Sequence, residues 1–149
     1  MIIRQYKTDD FEQIADIYNA AHPEEFYREK GQFSLVPWAE DKHILSILDS
    51  SDVYVYEEAA ILGFCGFLDN KLNWMFVEPT ARGKGVAAKL LEHVLPKLPD
   101  HSFLFVLKTN VRAIALYEKF GFVVQQEFIV NFQGSNIVLT KMIIKKRIP

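Results

Sequence analysis

The chain has 149 residues, the size of one typical domain, so a second full one is not expected. Lys and Arg total 17 against 19 Asp and Glu, and a net charge of −2 gives no general drive toward nucleic acid or anionic lipid. A content of 50% hydrophobic and 13% aromatic residues excludes disorder, and the lone Cys65 excludes an internal disulfide.

No Cys/His spacing matches a zinc site, so no metal is expected. The N-terminal stretch MIIRQYKTDD is charged from Arg4 onward and lacks the apolar core of a signal peptide. The most apolar run, Ala59 to Leu68, is far short of the roughly 18 residues of a membrane span. The expected setting is cytoplasmic, without membrane or nucleic-acid partners. With no linker, repeat or low-complexity tract, residues 1–149 read as a single unit.

Ile2 to Tyr6 reads as a short strand. Thr8 or Asp9 then caps a helix whose apolar positions Phe11, Ile14, Ile17, Tyr18 and Ala21 share a face. His22 to Pro37 is a long, mixed-charge connection of the kind that carries function or lacks order. A second helix is expected from about Trp38 to Leu48, burying Trp38, Ile44, Leu45 and Leu48. Val53 to Tyr56, Ile61 to Leu68 and Leu72 to Val77 follow as strands of an antiparallel meander, separated by short polar turns.

The clearest period comes next. Val86, Ala87, Leu90, Leu91, Val94 and Leu95 recur every third or fourth residue, with Pro96 and Pro99 ending the helix. Ser102 to Leu107 is almost continuously apolar, as a strand covered on both faces would be. Strand, helix and buried strand in this order form a right-handed crossover between parallel neighbours. Asn110 opens a short helix that Gly121 closes. Phe122 to Phe132 and Ile137 to Ile144 flank Gln133-Gly134-Ser135-Asn136 as a closing hairpin. The sum is an α+β fold: a mixed, mostly antiparallel sheet with helices on both faces.

The stretch VEPTARGKGVAAKLL, Val77 to Leu91, carries the chemistry. Gly83 and Gly85 precede a helix start whose N–H groups lack intrahelical partners, and Arg82, Lys84 and Lys89 add positive charge. This is the physics of a pyrophosphate cradle, although glycines here also serve simply to turn strand into helix. Gly83, Gly85 and Ala88 formally fit the dinucleotide pattern G-x-G-x-x-A. That pattern places its first glycine directly after the strand, whereas Glu78 to Arg82 intervene here. A P-loop requires Lys-Ser or Lys-Thr after its last glycine, and Val86-Ala87 stands there instead.

Val77-x-Pro79 followed by Arg82-Gly83-Lys84-Gly85-Val86-Ala87 resembles the acetyl-CoA motif R/Q-x-x-G-x-G/A of the GCN5-related N-acetyltransferases. Asn110-x-x-Ala113-x-x-Leu116-Tyr117-Glu118-Lys119-Phe120-Gly121-Phe122 resembles that family's later signature N-x-x-A-x-x-x-Y-x-x-x-G-F. The two motifs stand in the family order about a strand apart. The resemblance implies that Leu72 to Val77 and Ser102 to Leu107 are parallel strands that splay apart, with the pantetheine arm of acetyl-CoA held by the backbone of Met75 and Val77. It implies pyrophosphate binding by the N–H groups from Gly83 to Ala88 beside Arg82, and a pantetheine contact at Asn110 and Ala113. It also implies that Tyr117 stands near the thioester sulfur as general acid. From the residues alone, Asn110 equally suits a helix cap, and Tyr117 shares an apolar face with Ala113, Leu116 and Phe120.

The implied reaction is direct attack of an amine on the thioester, with an N–H near Val77 polarising the carbonyl. Cys65, in Gly63-Phe64-Cys65-Gly66-Phe67, reads as an inert core thiol. The general base stays open among Glu78, His22, His43 and water. Glu24, Glu25 and Glu29, interleaved with Phe26, Tyr27, Phe33 and Trp38, favour a cationic amine with an apolar part. A small-molecule or peptide amine is therefore the expected acceptor. A non-catalytic acyl-CoA-binding module and acetylation of a protein or tRNA amine are the alternatives. Either a monomer or a homodimer fits the sequence.

Overall fold

Seven runs rich in β-branched and aromatic residues pair into one sheet in the computed structural model, which describes residues 1–146. In chain order they are β1 (Ile2–Gln5), β2 (Asp52–Glu58), β3 (Ala60–Leu68), β4 (Lys71–Val77), β5 (Ser102–Leu107), β6 (Phe122–Phe132) and β7 (Ser135–Ile144). Their spatial order is β1-β2-β3-β4-β5-β7-β6, and every neighbouring pair is antiparallel except β4 and β5. The described residues also form four α-helices: α1 (Phe11–Ala21), α2 (Lys42–Leu48), α3 (Val86–Val94) and α4 (Val111–Lys119). None of these helices is long and apolar enough to cross a membrane.

The sheet separates two cores. On one face α1 and α2 bury Ile14, Ile17, Tyr18, Ile44 and Leu48 with Trp38 against Val53, Val55, Phe64 and Trp74. Trp38 is edge-on to Phe64 at 5.4 Å and to Trp74 at 5.1 Å between ring centroids. On the other face Val86, Leu90, Leu91 and Val94 of α3 and Tyr117 of α4 pack on Tyr54, Tyr56, Cys65, Leu104, Val106 and Met142. Each such large apolar side chain contributes about 1.5–3 kcal/mol when fully buried.

Three local expectations are corrected. The helix expected from Trp38 is split: Trp38–Glu40 is a single 3-10 turn, and Asp41 caps α2 by accepting from the Ile44 N–H at 3.1 Å. That restart sets a new helical phase, so Ile44 and Leu48 point inward while Leu45 is exposed. The start of α1 carries no side-chain cap from Thr8 or Asp9, and Asp10 at its N-cap points backward. Thr8–Asp10 is a 3-10 turn, and Asp10 accepts from the Lys7 N–H at 2.8 Å and from both Arg4 Nη atoms at 2.8 and 2.9 Å. In the last hairpin the turn is only Gln133-Gly134, both with positive φ (52° and 85°), and Ser135 and Asn136 already pair with Phe132 and Asn131. Two successive positive φ values match the twist of the strands they join.

The feature that creates the site is a failure of pairing. β4 and β5 share a single register pair, Lys71 with Phe103, reinforced by the Phe103 N–H donating to Asn70 O at 2.9 Å. Beyond it the two parallel strands diverge. On its other edge β4 is bulged: Gly66 faces Trp74 but Phe67 faces Leu72, so Asn73 is the extra residue. The bulge switches the faces of β4, sending Leu72 to the α3/α4 core and Trp74 to the α1/α2 core.

Candidate active site

Backbone groups in the gap are left free by geometry. The Glu78 N–H donates to Leu62 O at 2.8 Å, and Phe76 lies opposite Phe64 in the same ladder. Antiparallel pairing alternates, so the N–H and C=O of Val77 and Met75 turn the other way, toward the diverging β5. A buried amide without a partner is costly, and here two residues present theirs to an open space. That space is a cavity of about 1000 Å³ bounded by β4, β5, the first turn of α3 and the inner face of α4.

The glycine turn forms one end of it. Gly83 and Gly85 have φ of 81° and 77°, a left-handed conformation that favours glycine, and a Cβ on either would meet nothing within 4 Å. Open space over a left-handed turn lets a ligand lie directly on the backbone. Among the described residues no side chain caps α3, so the N–H groups of its first turn face the cavity beside Gly85, Val86, Ala87 and Ala88. Arg82 lines the same end, and its guanidinium is hydrogen-bonded to Glu24.

The opposite wall is α4. The Asn110 side chain accepts from the Ala113 N–H at 3.4 Å, a long capping bond, and both residues line the cavity. One turn on, Tyr117 is 9% exposed, edge-on to Phe122 at 5.8 Å, and also on the cavity wall. Core packing and cavity lining are therefore combined in one ring. Among the described residues its hydroxyl makes no hydrogen bond. Burial pushes the phenol well above its ordinary value, with smaller contributions from Cys65 and Glu25, so it stays protonated and able to donate.

The connection from His22 to Pro37 covers the cavity. It begins with a 3-10 turn, His22–Phe26, whose Glu24 and Glu25 line the space. Glu24 binds Arg82 beyond the end of β4, and Glu29 accepts from the Thr109 hydroxyl beyond the end of β5. The segment is thus tied to both banks of the gap. Further on it is pinned to the β6–β7 hairpin: the Ser34 N–H donates to Gln133 Oε1 at 2.8 Å, and Phe26 and Phe33 stack on Phe132 at 5.7 and 5.6 Å.

Of the residues singled out in the sequence, Met75, Val77, Arg82, Gly83, Gly85, Val86, Ala87, Ala88, Asn110, Ala113 and Tyr117 converge on this cavity. Lys84 is exposed on the turn and does not line it. Glu78 also lies elsewhere. Its carboxylate accepts from the Thr80 N–H at 2.7 Å, capping the turn Pro79–Ala81, and it borders a separate pocket of about 200 Å³ with Gln13 and Asp16. An acid directly before Pro is a capping signal in itself. His43 is exposed on α2, outside the cavity lining. Cys65 is fully buried, and burial raises its thiol far above the range in which thiolate forms. Arg28, Phe105, Thr109 and Arg112 also line the cavity. Of these four, only Thr109 and Arg112 carry a signal in the sequence, by lying within two residues of Asn110.

Comparison with known proteins shows the family and the fold. A family model described as an acetyltransferase (GNAT) domain matches residues 49–124. A spermine/spermidine N(1)-acetyltransferase of Bacillus subtilis (strain 168) is 26% identical over 107 residues, covering 60% of this chain and 69% of the relative. A peptidyl-lysine N-acetyltransferase, YjaB of Salmonella typhimurium, is 29% identical over 91 residues, covering 61% of this chain and 62% of its own. Among solved structures, a GCN5-related N-acetyltransferase from Rhodopseudomonas palustris superposes with a TM-score of 0.80 at 18% identity, covering 97% of this chain and 95% of that one. The structure of yncA from Salmonella typhimurium, determined with acetyl-CoA, gives a TM-score of 0.77 at 21% identity over 100% and 97% of the two chains.

Proposed function

The chain belongs to the acetyltransferase (GNAT) family, and from that premise we propose that it moves the acetyl group of acetyl-CoA to a primary amine of a small molecule or peptide. The observation that carries this reading is the gap between β4 and β5. There the unpaired amides of Met75 and Val77, the uncapped start of α3 and the Tyr117 hydroxyl all face one cavity. These groups suit the parts of an acyl-CoA in order. The first turn of α3 and Arg82 receive the pyrophosphate, where helix dipole and N–H groups favour anions. Met75 and Val77 hydrogen-bond the pantetheine amides, with Asn110 and Ala113 on the far side. An N–H at Val77 polarises the thioester carbonyl, and Tyr117 donates to the departing sulfur. Acetyl-CoA, when bound, supplies the activated acyl group.

The acceptor enters on the α1 side, where Glu25 and Tyr27 line the cavity. A carboxylate beside an aromatic ring favours a cationic alkylamine. The polyamines and the lysine side chain named for the Bacillus and Salmonella relatives are amines of this kind. In this reading the acceptor side, which precedes the family-matched residues 49–124, works with them as one catalytic unit.

The test is a panel of primary amines with acetyl-CoA, followed by release of free thiol. Amine-dependent release supports transfer. Tight acetyl-CoA binding with no release from any amine makes the chain an acyl-CoA-binding module instead.

A further inference from the structure

Neither motif supplies a group that takes a proton from the acceptor, and Glu78 is turned away from the cavity into its own capping bond. The covering segment supplies one. Glu25 lines the cavity, and its Oε1 lies 2.9 Å from His22 Nδ1. An ionised carboxylate only accepts, so Nδ1 carries the hydrogen and aims the carboxylate. The imidazole is itself fixed: it stacks on Tyr18 at 4.6 Å and meets Phe26 and Phe76 edge-on at 5.6 and 6.0 Å. Both neighbouring carboxylates of the segment are committed, Glu24 to Arg82 on one bank and Glu29 to Thr109 on the other. Anchored on both sides, the segment holds Glu25 over the gap.

We propose that Glu25, aimed by His22, receives the acceptor as an alkylammonium ion and takes the proton that frees its lone pair. The inference rests on the acetyltransferase reading above and adds the acceptor subsite to it. One ammonium N–H bond breaks, and its proton goes to a Glu25 oxygen. The freed nitrogen lone pair forms the C–N bond to the acetyl carbon, and the C–S bond breaks with its electron pair on sulfur. Tyr117 gives its proton to that sulfur and regains one from the nitrogen, which has become acidic on acylation. Glu25 then releases its proton to water, so one proton leaves per amide formed. The cavity position agrees with the electrostatics, since the Glu25 charge helps hold both the Tyr117 and the Tyr18 phenols in the protonated form. Glu25 is here a catalytic residue and His22 a positioning residue.

The experiment compares wild type with Glu25→Gln, Glu25→Asp and His22→Ala on two acceptors. One is 4-phenylbutylamine, an ammonium ion at neutral pH; the other is 2,2,2-trifluoroethylamine, mostly unprotonated there. Acetyl-CoA affinity and melting temperature are measured on every variant. Glu25→Gln should lower kcat/KM for the phenylbutylamine by about 100-fold or more, the usual scale of general base catalysis. The loss for trifluoroethylamine should be far smaller, with acetyl-CoA affinity unchanged. Glu25→Asp should recover part of the activity, and His22→Ala should show a weaker loss of the same amine-selective kind. Equal losses on both amines, or none, overturn the role of Glu25 while leaving the transferase reading intact. No thiol release from either amine by the wild type, with acetyl-CoA still bound, overturns the inference together with the acceptor reading.

Discussion

Replacing Tyr117 by Phe removes one oxygen from the cavity wall and little else. The ring keeps its edge-on contact with Phe122 at 5.8 Å and its place in the α3/α4 core. Because the hydroxyl has no hydrogen-bond partner among the described residues, its loss orphans no buried group, and stability should change by less than about 1 kcal/mol. Catalysis should respond on another scale. A positioned proton donor contributes roughly 10²- to 10⁴-fold, equivalent to about 3–5.5 kcal/mol of barrier. Burial keeps the phenol protonated at all working pH values, so the whole population is competent to donate. The assay is kcat for wild type and Tyr117→Phe with one active amine and two thioesters that differ in the acidity of the leaving thiol, with acyl-CoA binding measured separately. The loss should be smaller for the more acidic thiol, whose thiolate needs less assistance. A fall of less than about threefold, well under the usual range, or a loss independent of the thiol, refutes proton donation and leaves Tyr117 as a packing residue.

Three further outcomes follow from the geometry. Gly85→Asp places a carboxylate and a left-handed non-glycine residue at the start of α3, at a strain of about 1–2 kcal/mol. CoA binding should be lost while circular dichroism stays folded, and retained affinity would move the phosphate site elsewhere. Glu24→Gln releases Arg82 from its ion pair, so CoA affinity should rise; a fall would show that Glu24 orients Arg82 for phosphate. The third concerns acid stability. The Arg4 guanidinium holds the Asp10 carboxyl below its ordinary range, so Asp10 stays charged when folded at pH values where the unfolded chain is protonated. The stability it contributes is complete above the unfolded carboxylate range and is lost as pH falls through the lower, folded value. Asp10→Asn should therefore lower the urea midpoint near neutral pH, by about 1.5–3 kcal/mol in stability, and the gap to wild type should close in strong acid. A gap independent of pH contradicts the ion-pair account.

What the sequence made legible is what local periodicity and spacing encode. The apolar period of α3, the Asn110 cap and the alternation of the strands led directly to elements whose ends differ by a residue or two. Leu45 lies outside the core because Asp41 restarts the helix, and no apolar period begun at Trp38 carries through that restart. The bulge at Asn73 was hidden for a related reason: a polar residue between Leu72 and Trp74 looks like ordinary alternation, and only pairing with β3 exposes the extra residue. Least legible was the covering segment. Its bonds from Glu24 to Arg82 and from Glu29 to Thr109 join residues 58 and 80 positions apart. No local pattern carries such contacts, so the acidic residues could be noticed in the sequence but not placed on a cavity.

The proposed reaction depends on acetyl-CoA binding in the gap between β4 and β5 through the first turn of α3. Melting temperature measured against ligand concentration tests that binding. At about 100 times its dissociation constant a ligand adds ~2.7 kcal/mol, which raises the melting temperature of a chain this size by about 5–10 °C. Acetyl-CoA and CoA should both produce this rise, saturating with concentration, while NADH and ATP do far less. No shift with CoA, or a larger one with NADH, would contradict that binding.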